Sequence, residues 1–354
     1  MEKLKATLES IERIDFSLAG KTQKRLDNLT KPPGSLGRLE ELAKQIVEIS
    51  GIEKPTFKNK VIFTFAGDHG IAQEGVSAYP QAVTAQMVYN FLNGGAGINV
   101  LARHIGARVV VADLGVAAKI EKAKSQSFID KKVGFGTKNM AVGRAMTIQE
   151  AVNSIEAGME IFEKEYKKGI DILGTGDMGI SNTTASSAIA SAILNKPVEE
   201  LTGKGTGIND SALKHKVALI KKALEINKPN AKDAIDVLSK VGGFEIGGLS
   251  GVILAAASKR VPVIVDGFIS GAAALIAYTF EPKIKDYLIA AHCSVEKGPR
   301  AILDYLGLKP ILDLNLRLGE GTGAALAMSI VEAAVKILNE MATFGEAGVS
   351  ESIT

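Results

Sequence analysis

The sequence predicts an α/β fold, with a doubly wound, mainly parallel sheet of about six strands and helices on both faces. Short continuous apolar runs, typical of strands buried on both faces, alternate with longer runs whose apolar residues recur at helical spacing. Polar residues and glycines follow most of the short runs. The 354 residues are 46% hydrophobic and 23% charged, which is typical of a globular protein with one large domain or two modest ones.

Composition also excludes several classes of partner. The net charge is +3, aromatic residues make up 5% and tryptophan is absent, so neither nucleic acid nor a membrane surface is an expected partner. Cys293 is the single cysteine, which rules out an intramolecular disulfide and fits a cytoplasmic location. The N-terminus lacks the apolar core of a signal peptide, and apolar stretches such as 271–280 are too short to span a bilayer.

The first 50 or so residues predict helices. Residues 36–47 place apolar side chains at helical spacing. The proline- and glycine-containing stretch 31–35 comes before them and forms a rigid turn, in which Ser35 can cap the following helix.

The rest of the chain alternates between strands and helices. Predicted strands cover 61–66, 108–112, 170–173, 261–265, 287–291 and 310–318. Predicted helices cover about 80–103, 148–167, 182–194, a stretch after 207, 249–259 and about 322–341. An irregular polar stretch comes before residue 147, and within it 127–129 could be extended.

Polar side chains gather where the predicted strands end. In parallel sheets of this kind, ligands bind outside the carboxyl ends of the strands. The strand starts carry basic residues instead, namely Lys60, Arg108 and Arg260. The asymmetry predicts a site at the carboxyl ends, which carry Asp68 with His69, Asp113, Asp177, Asp266, His292 with Ser294, and Glu320.

Glu320 lies in a glycine-rich turn between the last predicted strand and the last helix. Gly319, Gly321 and Gly323 surround it and leave it no neighbouring side chains. A carboxylate at a helix start is stabilised by the helix dipole, which would make it a cap and a weak base. A catalytic base needs burial against apolar groups, such as Leu316 or Leu318, to raise its pKa.

Two further glycine clusters follow strands or precede helices. Residues 174–179 match the G-x-G-x-x-G fingerprint of dinucleotide-binding enzymes and leave an NAD-dependent oxidoreductase as the alternative function. The required acidic residue at a second strand end is missing, because Glu199 and Glu200 follow no apolar strand. The loop 203–207 departs from the Walker pattern but suits an anion, and Lys216 on the next helix could add positive charge.

The histidines carry no metal-ligand spacing. Only a set made of Asp68, His69 and Asp266 is conceivable as a metal site, and no serine-protease-like signature is present.

Seven motifs together are more specific than any pattern alone. In chain order they are KPPGSLGRLE (31–40), AGDHG (66–70), GVSAYPQ (75–81), GDMGISNTT (176–184), GKGTG (203–207), VDGF (265–268) and RLGEGTGAA (317–325). By these motifs the chain closely resembles the nicotinate-nucleotide–dimethylbenzimidazole phosphoribosyltransferase family over nearly its whole length.

The resemblance implies a reaction and an assembly. Nicotinate mononucleotide and 5,6-dimethylbenzimidazole, the two substrates, would give α-ribazole 5′-phosphate and nicotinate by single displacement, with no metal and no bound cofactor. The family is homodimeric. Its members have a small helical domain, here 1–50 with about 325–354, beside a large catalytic domain, here 51–324.

The resemblance also implies roles for particular residues. Glu320 matches the catalytic glutamate, which would take a proton from the attacking benzimidazole. Asp177 stands where a glutamate is expected and keeps the charge with one methylene less. It and Asp266 are expected to contact substrate. The aromatic base would lie near Ser77, Tyr79, Pro80, Gln86 and Leu318. The 5′-phosphate would be held by Gly176, Gly203, Gly205, Thr206, Gly207 and Lys216, with Ser294 and Arg317 as further candidates.

Overall fold

A six-stranded parallel sheet organises the molecule, in a computed structural model that describes residues 1–121 and 128–350. The strand order is β3-β2-β1-β4-β5-β6, and every neighbouring pair is parallel. This confirms the predicted α/β class. The strands are β1 Lys60–Gly67, β2 Arg108–Gly115, β3 Phe128–Asp130, β4 Ile172–Met178, β5 Val263–Val265 and β6 Leu288–Ala290.

Helices cover both faces of the sheet. The described residues form α1 Glu2–Glu9, α2 Ala19–Asp27, α3 Arg38–Ser50, α4 Ala82–Leu92, α5 Gly97–Ile105, α6 Ile148–Tyr166, α7 Asn182–Leu194, α8 Val198–Leu201, α9 Asp210–Asn227, α10 Ala234–Val241, α11 Phe244–Ser258, α12 Phe268–Phe280, α13 Lys297–Leu306, α14 Thr322–Glu340 and α15 Phe344–Ala347.

Alternate residues of each strand point into two separate apolar cores. In β1, Phe63 and Phe65 pack in the core that also holds residues of α6, α11 and α12. Ile62 and Ala66 of the same strand pack in the other core, with residues of α3, α5 and α14. Because both faces are buried, the strand has one continuous apolar run in its sequence, as predicted.

The predicted strand at 310–318 is wrong. Backbone hydrogen bonds around an isolated bridge between His292 and Leu312 join the start of this segment to the chain after β6, but they do not extend into a strand. Asn315 has a positive φ of 54°, which a strand cannot accommodate. The sixth strand is β3 at the far edge, and the predicted extended piece 127–129 overlaps it, although Ser127 lies outside the described residues.

Two helix predictions also need correction, both because of glycines. The predicted helix 80–103 is interrupted between α4 and α5, where Gly94 has a φ of 76°. Conversely, α11 starts at Phe244 and runs through glycines that the sequence suggested would precede it. A Cβ on Gly158 of α6 would collide with the carbonyl of Gly248 in α11, so these glycines let the two helices pack closely.

The two ends of the chain meet beside the sheet. Arg25 of α2 donates from Nε to the Leu338 carbonyl of α14 at 2.7 Å, and Leu29 forms an isolated antiparallel bridge with Thr343. Contrary to the sequence expectation about apolar stretches, α14 is long and apolar enough to cross a membrane, although 56% of its apolar window is buried in the fold. It packs against α3, α5 and β4.

Candidate active site

The turn carrying Glu320 lies across the carboxyl ends of β1 and β4, the two central strands. From β1 the chain continues to β2 on one side of this pair, and from β4 it continues to β5 on the other side. The connections therefore diverge between β1 and β4, and doubly wound sheets bind ligands in the crevice formed at such a point. Thr64 of β1 donates from Oγ1 to the Glu320 carbonyl at 2.9 Å. A Cβ on Gly176 of β4 would collide with that carbonyl, so glycine is needed for the turn to approach the strand.

The turn has an unusual backbone. Gly319, Glu320 and Gly321 have successive φ values of 82°, 63° and 97°. A left-handed conformation is strained for glutamate but free of cost for glycine. Backbone strain of this kind persists where the surrounding structure holds it, often at functional sites.

The Glu320 carboxylate is buried, and it faces a helix other than the one that follows it. The residue is 4% exposed, and its Oε2 accepts from the Ile98 N–H at 3.0 Å, in the first turn of α5. Burial raises the pKa of Glu320, although hydrogen bonds from the backbone of Ile98 and Gly97 oppose the increase. The carboxylate is therefore both a cap and a stronger base than an exposed glutamate.

Asp266 caps α14 in its place. Its Oδ1 accepts from the Ala324 N–H at 2.8 Å. Burial raises the pKa of Asp266 to about 7, against hydrogen bonds from the backbone of Ala324, Gly321 and Gly323. Asp266 therefore holds the start of α14 beneath the turn.

Asp177 lies at the end of β4, directly below the turn. Its carbonyl accepts from the Glu320 N–H at 3.3 Å, and its Oδ2 accepts from the Asn182 side chain at 3.0 Å. Among the described residues, Oδ1 has no hydrogen-bond partner. Burial and the nearby charges of Asp266 and Glu245 raise the pKa of Asp177 well above its ordinary value. A neutral Asp177 could donate a hydrogen bond as well as accept one.

A buried histidine–glutamate pair supports the same edge. The ring Nε2 of His69 lies 2.6 Å from Glu245 Oε1, and both side chains are almost inaccessible. Burial lowers the pKa of His69, but Glu245 and Asp68 outweigh that effect and raise it overall. Asp68 accepts from the Ala117 N–H at 2.8 Å. Asp68, His69 and Asp266 therefore have separate partners. Within 1–121 and 128–350, no three acidic, histidine or cysteine side chains are grouped to hold a metal ion.

The loop 203–207 lies against a buried lysine. Lys216 of α9 is 1% exposed, and its Nζ donates to Thr183 Oγ1 at 2.7 Å. A Cβ on Gly205 would lie 3.4 Å from that Nζ, so the ammonium group faces the loop backbone. Burial lowers the pKa of Lys216 to about 8, and the charge of Glu296 opposes the decrease. Arg317 donates to the Gly205 carbonyl at 3.3 Å.

Ser77, one of the residues predicted to bind the aromatic base, lies next to this loop. The Ser77 hydroxyl lies 3.2 Å from Thr206 Oγ1, and the Ala78 N–H donates to the same oxygen at 3.0 Å. Tyr79 is 55% exposed and Leu318 is 61% exposed. A Cβ on Gly97 would lie 3.0 Å from Leu318 Cδ2 and 3.3 Å from Glu320 Oε2, so Leu318 and the carboxylate share one surface. Two further predicted residues, Pro80 and Gln86, are exposed nearby in sequence.

Of the remaining strand-end residues, Asp113 does not join the cluster, whereas His292 lies beside Asp266 and Ser294 lies beside Glu296. Asp113 pairs with Lys132 at 2.7 Å and accepts from the Val116 N–H at 2.8 Å, so it stabilises its own turn. His292 is buried with Nε2 3.9 Å from Asp266 Oδ1. Ser294 is also buried, near Glu296.

The dinucleotide fingerprint serves packing. A Cβ on Gly174 would lie 2.8 Å from the Ala324 Cβ of α14, and one on Gly179 would collide with the Gly67 carbonyl. The space beside these fingerprint glycines is therefore filled by other parts of the chain. Glu199 lies on α8, where it pairs with Lys221.

Several residues that contact or lie near Glu320, Asp177 or the loop 203–207 were not predicted as site residues from the sequence. Thr183 and Asn182 stood in a quoted motif, and Glu245 stood inside a glycine cluster, so each had a local signal. Ile98 had almost no sequence signal apart from the glycines before it, because it contacts Glu320 through its backbone N–H and not through its side chain. Glu296, close behind Ser294, accepts from the Gly205 N–H at 2.9 Å, and only the fold shows this.

Comparisons with known proteins agree with this architecture. A family model described as phosphoribosyltransferase matches residues 11–349. A nicotinate-nucleotide–dimethylbenzimidazole phosphoribosyltransferase from Roseiflexus sp. (strain RS-1) is 54% identical over 353 residues, covering 100% of this chain and 99% of that protein. A protein of the same name from Geobacter metallireducens is 56% identical over 351 residues, covering 99% of each.

Among solved structures, the crystal structure of CobT from Thermus thermophilus aligns with a TM-score of 0.91 at 42% identity, covering 95% of this chain and 99% of that one. The identities, the coverage and the family model are mutually consistent. The chain therefore belongs to the nicotinate-nucleotide–dimethylbenzimidazole phosphoribosyltransferase family.

Proposed function

We propose that this chain moves the 5-phosphoribosyl group of nicotinate mononucleotide to 5,6-dimethylbenzimidazole, releasing nicotinate and forming α-ribazole 5′-phosphate. Membership of the family supports the reaction, which makes the lower ligand of cobalamin. The comparisons do not support the alternative NAD-dependent oxidoreductase. The space beside the glycines of the dinucleotide fingerprint is filled by residues of α14 and β1.

The chemistry requires one positioned base. The pyridine ring of nicotinate mononucleotide is cationic while bonded to the ribose and becomes neutral when nicotinate leaves with the bonding electron pair, so its departure needs no general acid. One benzimidazole nitrogen attacks C1′ of the ribose while the other still carries a proton. A base that removes this proton completes the transfer, and general bases of this kind typically contribute about 10²–10⁴-fold to the rate. Inversion at C1′ fits a single displacement, in which positive charge develops on the sugar.

The proposal depends on Glu320 as the general base. Its carboxylate is held at the central crevice by the Ile98 N–H, and burial raises its pKa while Leu318 lies beside it. The apolar surface of Leu318 suits a flat heterocycle, as do the exposed Tyr79 and Pro80. We assign these residues, with Ser77 and Gln86, to the acceptor-base side of the site.

The 5′-phosphate side lies at the loop 203–207. Its glycine backbone, the buried ammonium of Lys216 and the guanidinium of Arg317 are groups that favour an anion. We assign the phosphate to Gly203, Gly205, Thr206, Gly207 and Lys216, with Gly176, Ser294 and Arg317 nearby in the proposed site.

A short chain of contacts joins the two sides. Glu320 contacts Asp177, Asp177 accepts from Asn182, and the next residue, Thr183, accepts from Lys216. The start of α7 therefore sets the spacing between base and phosphate. We propose that Asp177 and Asp266 contact or position the ribose between them.

A product assay tests the reaction. The purified protein is incubated with nicotinate mononucleotide and a panel of benzimidazoles, purines and phenols, and products are identified by mass. We expect nicotinate and α-ribazole 5′-phosphate with dimethylbenzimidazole. Absence of nicotinate release with every acceptor would overturn the proposal, and NAD-dependent spectral change would favour the oxidoreductase.

Assembly, domains and location are also proposed. The resemblance supports a homodimer in the cytoplasm acting on small molecules, without nucleic acid or membrane partners. Residues 1–50 and about 325–354 would form a small domain beside 51–324, and the contacts of Arg25 and Leu29 with the C-terminal segment support this division.

A further inference from the structure

The Glu296 carboxylate lies inside the loop that we assign to the 5′-phosphate. Its Oε1 accepts from the Gly205 N–H at 2.9 Å. A Cβ on Gly203 would collide with its Oε2, so that oxygen lies against the loop backbone. Within the described chain, Oε2 is buried and has no hydrogen-bond partner. An anion from the chain itself therefore occupies this loop.

The Glu296 carboxylate provides a counter-charge for the buried Lys216. Lys216 is 1% exposed, and an unpaired ammonium in such a place is costly. Glu296 is the charge that raises the pKa of Lys216 against its burial. The carboxylate thus supplies the counter-charge that a bound phosphate would supply.

A phosphate and this carboxylate compete for the same groups. The Gly205 N–H has a single hydrogen, and two anions beside one ammonium repel each other. The N–H groups of Val295 and Glu296 make only long hydrogen bonds, to the Leu316 carbonyl at 3.4 Å and to Ser294 Oγ at 3.5 Å. The side chain can leave the loop without breaking a short bond of its own backbone.

We propose that Glu296 is a positioning residue that stands in for the 5′-phosphate. It holds the loop and Lys216 in their binding arrangement and leaves when the phosphate enters. The inference rests on the proposed phosphate site. Displacement of Glu296 opposes phosphate binding, so the residue weakens ground-state affinity while keeping the site organised.

The test compares Glu296→Gln with Glu199→Gln. Glu199 lies on α8, is about half exposed and pairs with Lys221, so its variant removes the same charge outside the loop. The probes are inorganic phosphate, by calorimetry, and steady-state kinetics with nicotinate mononucleotide. For Glu296→Gln we expect about tenfold tighter phosphate binding at pH 7 and a similar fall in KM, with kcat within about twofold. Glu199→Gln should match the wild type.

A further readout separates positioning from a general structural role. Without phosphate, Glu296→Gln should melt at a lower temperature than Glu199→Gln, and phosphate should raise its melting temperature more than that of the wild type. Unchanged or weaker phosphate binding in Glu296→Gln, or a raised KM, would overturn the inference. If Lys216→Met binds phosphate as well as the wild type, the loop is not the phosphate site. Nicotinate release by the wild type tests the reaction independently.

Discussion

The two ends of the sheet use charged side chains in opposite ways. At the amino ends, Lys60 Nζ lies 2.5 Å from Glu332 Oε2, and Arg260 donates to the carbonyls of Glu48 and Ile49 at 3.1 Å. At the carboxyl ends, Asp177, Glu245 and Asp266 each bury one oxygen that has no partner among the described residues.

This difference separates groups that stabilise the fold from groups available to a ligand. A charge that is paired within the protein contributes stability and has little left to offer a substrate. A buried polar atom without a partner costs about 1–3 kcal/mol, and a substrate that satisfies it recovers that cost.

The largest effect should come from Glu320→Gln at the carboxyl end. The amide keeps an oxygen for the Ile98 N–H, so the fold should persist, but it cannot take the benzimidazole proton. We expect kcat to fall by about 10²–10⁴-fold. Steady-state rates of nicotinate release measure this. The matched variant Glu332→Gln, at the amino end, should keep the wild-type kcat. A Glu320→Gln enzyme with normal turnover would remove the glutamate from its proposed role.

Gly176→Ala should displace the turn that carries Glu320. Its new Cβ would collide with the Glu320 carbonyl, so the turn has to shift. We expect kcat/KM to fall by about 10–100-fold and the free energy of unfolding to fall by roughly 1–3 kcal/mol.

Gly20→Ala is the control for this change, because a Cβ on Gly20 meets nothing within 4 Å. It should leave activity unchanged and stability equal or higher. Activity and urea unfolding are measured for both variants. Wild-type kcat/KM in Gly176→Ala would mean that the close approach of turn and strand is unnecessary.

Asp266→Asn should change how stability depends on pH. The folded pKa of Asp266 is raised from 3.8 to about 7, so the fold favours the neutral acid. That contribution is fully present below pH 3.8 and is lost as pH rises through about 7.

The asparagine stays neutral and still accepts from Ala324. Between pH 5 and pH 8, the wild type should therefore lose on the order of 2–3 kcal/mol relative to the variant. Urea unfolding at both pH values measures the difference. Parallel stability curves would show that Asp266 does not titrate in this range.

Lys60→Met should affect only stability. The Lys60 and Glu332 side chains are 11% and 22% exposed, so the pair lies between a surface and a buried ion pair. We expect a loss of about 1–2 kcal/mol in the free energy of unfolding, with kcat and KM unchanged. Chemical denaturation and the nicotinate assay together test this. A tenfold change in kcat would show that the two ends of the sheet are coupled.

The sequence predicted the sheet because its signal is local. An apolar run such as 61–66 reports burial on both faces without knowledge of its neighbours. Glycines were less informative, because the same residue type separates two helices at Gly94 and allows close helix packing at Gly248. The segment 310–318 resembled a strand in composition, but one residue with positive φ, Asn315, prevents that structure.

The candidate site, like the fold, was predictable from the sequence only in part. Strand ends and motifs alone pointed to Glu320 and to the loop 203–207. The partners of these groups were not predictable, because they come from distant parts of the chain. Ile98 and Glu296 reach the site through a backbone N–H and a carboxylate whose positions only the tertiary fold determines.

The turn that lies across β1 and β4 also has a consequence for how the enzyme is made. The six strands of the described residues lie between 60 and 290, whereas Glu320, the proposed base, comes 30 residues later. During synthesis on the ribosome, the sheet can therefore assemble before the chain is able to act. With Glu320 as the proposed base, we expect catalysis only after α14 docks and brings the turn onto Thr64 and Gly176. Turnover would then report that folding has been completed, and partial unfolding of α14 should abolish activity while the sheet remains.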